Sequence, residues 1–420
     1  MPGFMKTHPD TGHSVHENET QAGINLLHSL ASRRAVRTPL NWPIGVLVFM
    51  VLVSLWATFD IRFSLPKIIG LLLGVAVFYA TVGYAANTER LLQTVALFFS
   101  IGTGIAGLGL VGTNWLYKNP LLSQIVGRLP QWIRGLPGAP GGFHPNEVAG
   151  VLLWFVPAQI ALLIWLWRRG HVRGRNGTAL VVSTFLTTVT LVLTQSRSGW
   201  LGLAAGLAMM GACEDRRMRV GLALFAVVAL AIVGVRGPSW VGTVLFGDAA
   251  SEVVGTLNWG FRVQVWRAAL WGIHDFPFTG MGLGTFRRVA RVLYPLAVPP
   301  MYDIAHAHNG FLQAGLDFGV PGLVAYSALW LLAAWLVVSA LRQLASRPQA
   351  GCRHEVTETF DSSGLRALAV GLGGSLVGSL AYNLTDTVAL GAKPGLAWWM
   401  MLGLIVSAYR LAVSCQVGEQ

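Results

Sequence analysis

The chain is poor in charge. Only 11% of its 420 residues are Asp, Glu, Lys or Arg, with 18 acidic residues against 30 basic. A soluble domain carries roughly 25% charged residues. So few charges cannot cover a water-facing surface, which excludes an ordinary soluble globular protein. Cysteine is scarcer still. Cys213, Cys352 and Cys415 are the three, and no metal-ligand spacing joins them. A disulfide framework is unexpected, because all three fall on the side assigned below to the cytoplasm, where thiols stay reduced. A signal-peptide pattern is also missing: residues 1–40 bring in His, Asp, Glu and Asn early, with no short apolar core before a small-residue cleavage site. The first 20 residues predict disorder, and residues 21–35 a short interfacial helix ending in Arg33 and Arg34.

Hydrophobicity is what the chain has. Apolar residues make up 54% of it, and the mean hydropathy is +0.57. A helix needs about 20 apolar residues to cross a bilayer. Runs of that kind cover 43–59, 67–86, 91–113, 146–167, 178–195, 198–213, 218–235, 321–341, 365–385 and 394–413. The expected fold is an all-α, polytopic transmembrane helical bundle of about ten spans, with a large helical loop on one side. It divides into a cytoplasmic tail (1–40), transmembrane helices 1–7 (41–235), a large outer loop (236–320) and transmembrane helices 8–10 (321–415). No internal repeat is visible.

The net charge of +12 would suggest nucleic acid in a soluble protein. Here the basic residues gather in short loops: Arg168, Arg169, Arg173 and Arg175 in one, Arg216 and Arg217 in the next, and Arg342, Arg347 and Arg353 in a third. That is the positive-inside pattern, and it predicts both termini in the cytoplasm. No aromatic-basic stripe of the kind that reads nucleic acid is present. Two outward segments are long. In 114–145, Leu121, Ile125, Leu129, Trp132 and Ile133 recur at near-helical spacing and predict an amphipathic surface helix, bent or broken at Pro130. The other is 236–320, rich in Trp, Gly and Arg.

The span cores carry essentially no ionisable residue, which argues against an ion-coupled transporter. The outward ends are crowded instead. His144, Asn146 and Glu147 open the fourth span, Gln195, Ser196, Arg197 and Ser198 form a tight turn, and His306, His308 and Asn309 close the large loop. Asn383, Asp386 and Lys393 flank the last outer turn. Distant segments thus place polar groups at one depth, as suits a substrate with a charged head at the membrane surface and an apolar tail in the bilayer.

Residues 258–276 predict a helix with Arg262, Trp266, Ala269 and Ile273 on one stripe, while Arg267 points away. Asn309 is placed to cap a helix over Gly310–Phe318, ended by Gly319, with Pro321 starting the next span. His308 then lies at the positive end of that helix, which favours a neutral imidazole and attracts phosphate oxygens. Taken singly, Arg197 reads equally as an interface-snorkelling arginine, and the plain alternative for His308 is a cap-region hydrogen bonder. Gly280-Met-Gly-Leu-Gly284 resembles a dinucleotide loop but follows no strand, so tight-turn glycines are expected.

Together these residues resemble the bacterial O-antigen ligase and O-antigen polymerase superfamily. The ligase signature is His, then Asn, Ser or Gln, nine residues, Gly, two residues, then Gly, Thr or Tyr; it is met in full by His308-Asn309, Gly319 and Gly322. Ser196-Arg197-Ser198-Gly199-Trp200 is similar to the family's outer-turn segment. Arg262 with Trp266, then Pro277 and Gly280–Gly284, is similar to its large-loop segment. His144-Pro145-Asn146-Glu147 is similar to the opening of an earlier span. The likeness runs in order from about 140 to 400. Ligases of the family usually have about twelve spans, so the count of ten departs from the pattern.

The resemblance implies a GT-C-like, inverting membrane glycosyltransferase of the bacterial inner membrane, acting in lipopolysaccharide biosynthesis at the periplasmic face. Its donor would be a polysaccharide on undecaprenyl diphosphate and its acceptor hydroxyl would lie on lipid A-core or similar. The alternatives within the superfamily are an O-antigen or exopolysaccharide polymerase and a protein O-oligosaccharyltransferase. Outside it stand a lipid-linked sugar flippase and a non-catalytic scaffold. On this reading Arg197 and Arg262 take the diphosphate and His308 is the general base. Asn309, Asn146, Glu147, His144, Asp386, Lys393 and Trp266 line the substrate site. The resemblance implies no metal, no other cofactor and no nucleic-acid partner.

Overall fold

Apolar runs, punctuated by Gly, Pro and Arg, fold into helices along the whole described chain. The computed structural model describes residues 37–115, 117–135, 141–246, 259–297, 304–346, 360–388 and 390–417. The fold lies in Leu40–Gln420, a unit separate from Met1–Pro39. The tail helix expected at 21–35 lies outside the described residues, as do Asn258 and Cys352. Cys213 is a free thiol.

The helices are α1 (Asn41–Ala57), α2 (Ile61–Tyr84), α3 (Thr88–Gly112), α4 (Pro120–Val126), α5 (Pro145–Leu152), α6 (Val156–Arg168), α7 (Arg175–Leu193) and α8 (Arg197–Glu214). They continue as α9 (Arg216–Arg236), α10 (Pro238–Phe246), α11 (Trp259–Asp275), α12 (Phe286–Leu293), α13 (Gly310–Ser346), α14 (Ser362–Asn383) and α15 (Gly395–Val417). Among the described residues there is no β-strand, only a lone bridge between Thr113 and Phe143. Each expected span falls on a helix. Among the described residues seven helices are long and apolar enough to cross a membrane, or eight if α5 and α6 form one span. α1, with 17 residues, and α8, with 18, are the other two. The molecule is a polytopic helical bundle.

Two local expectations need correction. The run 146–167 is not one continuous helix: α5 and α6 meet at a 41° bend. Pro157 is the cause. It has no N–H to give the carbonyl of Leu153, and its ring crowds that carbonyl. Among its described residues the segment 114–144 forms only the seven-residue α4, which ends at Val126 ahead of Gly127. Leu129 precedes Pro130 and is biased away from helical geometry, so the apolar spacing from Leu129 to Ile133 does not continue the helix. Leu122 and Leu129 pack against Trp115, Val126 and Leu193, while Leu121 and Trp132 stay exposed.

Small residues set the centre of the bundle. α14 lies against α8, and the two backbones nearly touch. A Cβ at Gly202 would sit 2.6 Å from the Gly378 carbonyl oxygen, and one at Gly206 would sit 2.5 Å from that of Gly374. This is the paired Gly-x-x-x-Gly contact that lets membrane helices approach. At the other extreme, α9 has no buried residue and presents Leu224, Phe225, Val228 and Leu230 outward.

The described part of the long 236–320 region is largely helical, as expected. Phe261, Val265 and Ala268 of α11, Met281, Phe286 of α12 and Leu316 of α13 share one apolar core. α12 was not foreseen. Phe286, Val289, Ala290 and Leu293 recur at helical spacing, and Phe286 and Ala290 are buried while Arg287, Arg288 and Arg291 stay outside. Gly280, Gly282 and Gly284 all have positive φ (65°, 92° and 76°), so they are turn glycines.

Candidate functional site

α14 ends at Asn383, and the chain turns through Leu384–Thr387. Distant segments grip this turn. Asn309 donates from Nδ2 to the Leu384 carbonyl at 3.0 Å. Arg262 donates from Nε to the Thr385 carbonyl at 2.8 Å. Thr385 donates from Oγ1 to Ser198 Oγ at 3.0 Å. Asn146 donates from Nδ2 to Asp386 Oδ2 at 2.7 Å, and Tyr382 donates from its hydroxyl to the Asn146 carbonyl at 2.8 Å. The turn is thus a hub for α5, α8, α11 and α13.

Asp386 is at its centre and is 1% exposed. A buried carboxylate needs charge partners and donors. Its Oδ1 accepts from the Thr387 N–H at 2.9 Å and faces His308 Nδ1 at 3.3 Å. Its Oδ2 lies 3.7 Å from Arg262 Nη2. His306 Nε2 stands 3.8 Å from Oδ1. Burial alone would raise the Asp386 pKa. The imidazoles of His308 and His306, with the Arg262 guanidinium, overcome that and hold it well below the usual carboxylate range.

His308 is held from several sides. Its backbone adopts φ +49°, uncommon for a residue with a Cβ. The His308 N–H donates to His306 Nδ1 at 3.2 Å, and Trp266 donates from Nε1 to the His308 carbonyl at 3.3 Å. Phe261 meets its ring edge-on, with centroids 5.5 Å apart. Because His306 Nδ1 accepts, the network assigns its proton to Nε2. Burial, then the neighbouring His308, pushes the His306 pKa down to about 3, so it stays neutral. The Asp386 carboxylate likewise assigns an N–H to His308 Nδ1, leaving the Nε2 lone pair as the acceptor.

The helix that presents His308 is built as the spacing predicted. Asn309 Oδ1 accepts from Phe311 N at 2.9 Å and Leu312 N at 3.0 Å. Gly319 interrupts α13 with φ 67° and ψ −170°. A Cβ there would lie 2.6 Å from the Pro277 carbonyl oxygen, so only glycine fits. Within this first half, Gln313 accepts from Ala307 N at 2.9 Å and donates to Asp317 Oδ1 at 2.9 Å. Asp317 Oδ1 also accepts from Gly284 N at 2.8 Å. The His308 segment and the glycine turn are therefore tied to one helix.

Arg197 takes a different position. It is exposed and donates from Nη1 to the Leu245 carbonyl at 3.2 Å. Lys118 is within electrostatic reach of Arg197, Arg262 and Asp386. Its Nζ donates to the Gln195 carbonyl at 3.2 Å, and Gln195 Oε1 accepts from the backbone N–H groups of Lys118 and Asn119 at 3.0 and 2.7 Å. Gln195 itself has φ +52°. Partial burial, then the positive charges of Arg197 and Arg262, lower the Lys118 pKa to about 8, with Asp386 opposing.

The remaining candidates divide. His144 Nδ1 accepts from Asn146 N at 3.3 Å and caps α5, within electrostatic reach of Asp386, His308 and Lys118. Glu147 stands in the first turn of α5, exposed, near the charges of Asp386, Arg287 and Lys67. Lys393 is exposed and makes no hydrogen bond or ion pair among the described residues. Lys118, Lys67 and the Gln313–Asp317 pair were not singled out from sequence. Lys118 sits in a segment dominated by its apolar spacing, and Lys67 in the second turn of an apolar span, packed against Gly284. An isolated lysine at the end of such a run was the available signal.

One group of donors could hold a cation. The nearest ligand atoms of His306, His308 and Asp386 all lie within 4.8 Å of one another. The fit is poor, however. Asp386 Oδ2 is already bonded to Asn146 and faces the Arg262 guanidinium, a fixed positive charge beside any bound cation. His306 Nδ1 is committed to a backbone N–H.

A bundle of this kind, with charged groups converging at one end of apolar spans, defines a polytopic membrane protein with a polar site at the ends of its helices. Residues 182–327 match the family model described as O-antigen ligase. That stretch contains Arg197, Arg262, His306, His308 and Asn309, and over it the chain is similar to that family. No curated protein matches the chain.

Proposed function

We propose that the chain is an O-antigen ligase-like, inverting glycosyltransferase. It moves a polysaccharide from undecaprenyl diphosphate to an acceptor hydroxyl, on lipid A-core or a similar glycolipid, at the periplasmic face of the bacterial inner membrane. The observation that carries this reading is the meeting of His308, Asp386 and Arg262, residues from three separate stretches, in one buried cluster.

Each group has a chemical task. The acceptor hydroxyl oxygen attacks the anomeric carbon, and His308 Nε2 takes its proton as the new C–O bond forms. Asp386 holds the ring through Nδ1 and steadies the imidazolium that results. The bond from the anomeric carbon to the diphosphate oxygen breaks, and its electron pair leaves with the diphosphate. Arg197 and Lys118 meet that growing charge from the accessible side, and Arg262 adds its charge from behind Asp386. Attack opposite the leaving group inverts the anomeric centre. Asn146, Asn309 and Trp266 position the hub, while Glu147, His144 and Lys393 border the substrate path. The arginine-bearing loops at the other end support a cytoplasmic placement for them and an outward-facing site.

The test is transfer by the purified chain in lipid vesicles, given polyprenyl-diphosphate-linked glycan and a lipid acceptor. A covalent glycan–acceptor product, absent from His308→Ala, is the expected result. Movement of the lipid-linked glycan across the vesicle wall with no covalent product would replace this reading with a flippase.

A further inference from the structure

A cavity lies along the helices toward the Arg175 end of α7, away from the Asp386 hub. It has a volume of about 970 Å³ and runs between α3, α6 and α7. Its walls are apolar, with Phe99, Leu162, Trp165 and Ala179 among them, and its mouth carries Arg173 and Arg175. Along α3 the lining extends from Leu92 to Thr103, about 17 Å at 1.5 Å per residue. One leaflet of a bilayer's hydrocarbon core is about 15 Å deep.

The inner end is closed by polar groups. Thr103 Oγ1 and Ser183 Oγ are 2.6 Å apart, Gln159 donates from Nε2 to Ser183 Oγ at 2.7 Å, and Thr187 donates from Oγ1 to Gln159 Oε1 at 2.7 Å. These groups satisfy one another and form a floor that an apolar chain reaches but does not pass. The mouth is the opposite case. The neighbouring arginines are used: Arg168 pairs with Glu214 at 3.6 Å, Arg169 with Asp361, and Arg366 with Glu214 at 2.5 Å. Arg173 and Arg175 are exposed and make no hydrogen bond or ion pair among the described residues. α7 begins beside them with no side-chain cap, which adds the positive end of a helix dipole.

We infer that this cavity is a binding site for one anionic phospholipid, with an acyl chain in the apolar groove and the phosphate between Arg173 and Arg175. The two cations, one leaflet's depth of apolar wall and a polar floor match the charge and length of that molecule. A zwitterionic lipid supplies the chain but sets an ammonium among the arginines.

Native mass spectrometry of the full chain, reconstituted in bilayers of mixed phosphatidylglycerol and phosphatidylcholine, tests this. The wild type is expected to retain one phosphatidylglycerol in preference to phosphatidylcholine. The double variant Arg173→Gln, Arg175→Gln should lose that preference by about 30-fold, at the scale of two surface arginines near anionic lipid. Ala179→Trp, which fills the groove and leaves both arginines, should lose the retained lipid whatever its headgroup. Arg216→Gln with Arg217→Gln removes equal charge away from the groove and should change nothing. Equal retention of the two lipids by the wild type, or unchanged retention in both the arginine and the tryptophan variants, would overturn the proposal. Retention of a polyprenyl phosphate in place of phospholipid would overturn it as well.

Discussion

Two sets of arginines in this molecule have opposite fates. Arg262 is 2% exposed, and its guanidinium is given to the Thr385 carbonyl and the Asp386 carboxylate. Arg173 and Arg175, in the loop between α6 and α7, are exposed and without an ion pair among the described residues. Composition treats them alike, and each stands outside the apolar spans. Burial separates them. A desolvated guanidinium must be matched by fixed acceptors, so it organises the chain around itself. A solvated one costs nothing to leave alone and stays ready for an anion from outside. Of the two, only the buried arginine fixes the chain around it, through the Thr385 carbonyl and the Asp386 carboxylate.

The comparison breaks most sharply on stability. Arg262→Ala leaves Asp386 buried without its guanidinium and should cost about 3–5 kcal/mol, seen as a large fall in the thermal midpoint in detergent. Arg173→Ala should leave that midpoint unchanged. A similar loss from both would mean that burial does not distinguish them. Asp386→Asn keeps the shape of the hub but removes the carboxylate that fixes the His308 tautomer. Transfer should fall about 100-fold or more, with donor binding nearly kept.

Lys118 lies between these extremes, half-buried and with a pKa lowered to about 8. Its cation is present below pH 8 and lost above it. The donor KM should therefore rise as pH passes about 8. Lys118→Arg should carry that limb to higher pH, and Lys118→Met should abolish it while raising KM about tenfold at neutral pH. An alkaline limb unchanged in Lys118→Met would assign it to another group.

Acid-linked and capping effects follow at the edge of the hub. His306 is held neutral with a pKa near 3, below the value of about 6.5 in an unfolded chain. The unfolded state therefore binds the extra proton between those values, and stability falls as pH drops through that window, by at most about 1.4 kcal/mol per pH unit. His306→Asn keeps an acceptor for the His308 N–H and should flatten that acid limb in unfolding measurements. Asn309→Ala removes the cap of α13 and should cost about 1 kcal/mol.

Much of this geometry was legible in the residues. The stripe through Arg262 and Trp266, the Asn309 cap and the Gly319 break are local periodicities and turn rules, and each appears in the fold. Asn146 and Asp386, read only as polar residues at one depth, are joined by a 2.7 Å hydrogen bond across 240 positions. That bond follows from how α5 and α14 pack, and no local pattern encodes it. The bend before Pro157 was written in the sequence but hidden under a continuous apolar run. Lys118 went unread because its role comes from Gln195, whose backbone conformation no spacing rule supplies.

The proposed transfer depends on His308 as the group that takes the acceptor hydroxyl's proton. The direct measurement is the single-turnover transfer rate of purified His308→Ala, set beside its affinity for the lipid-linked donor. Transfer slowed at least about 100-fold with donor affinity within a few-fold of the wild type is the predicted result. Transfer at the wild-type rate would contradict it.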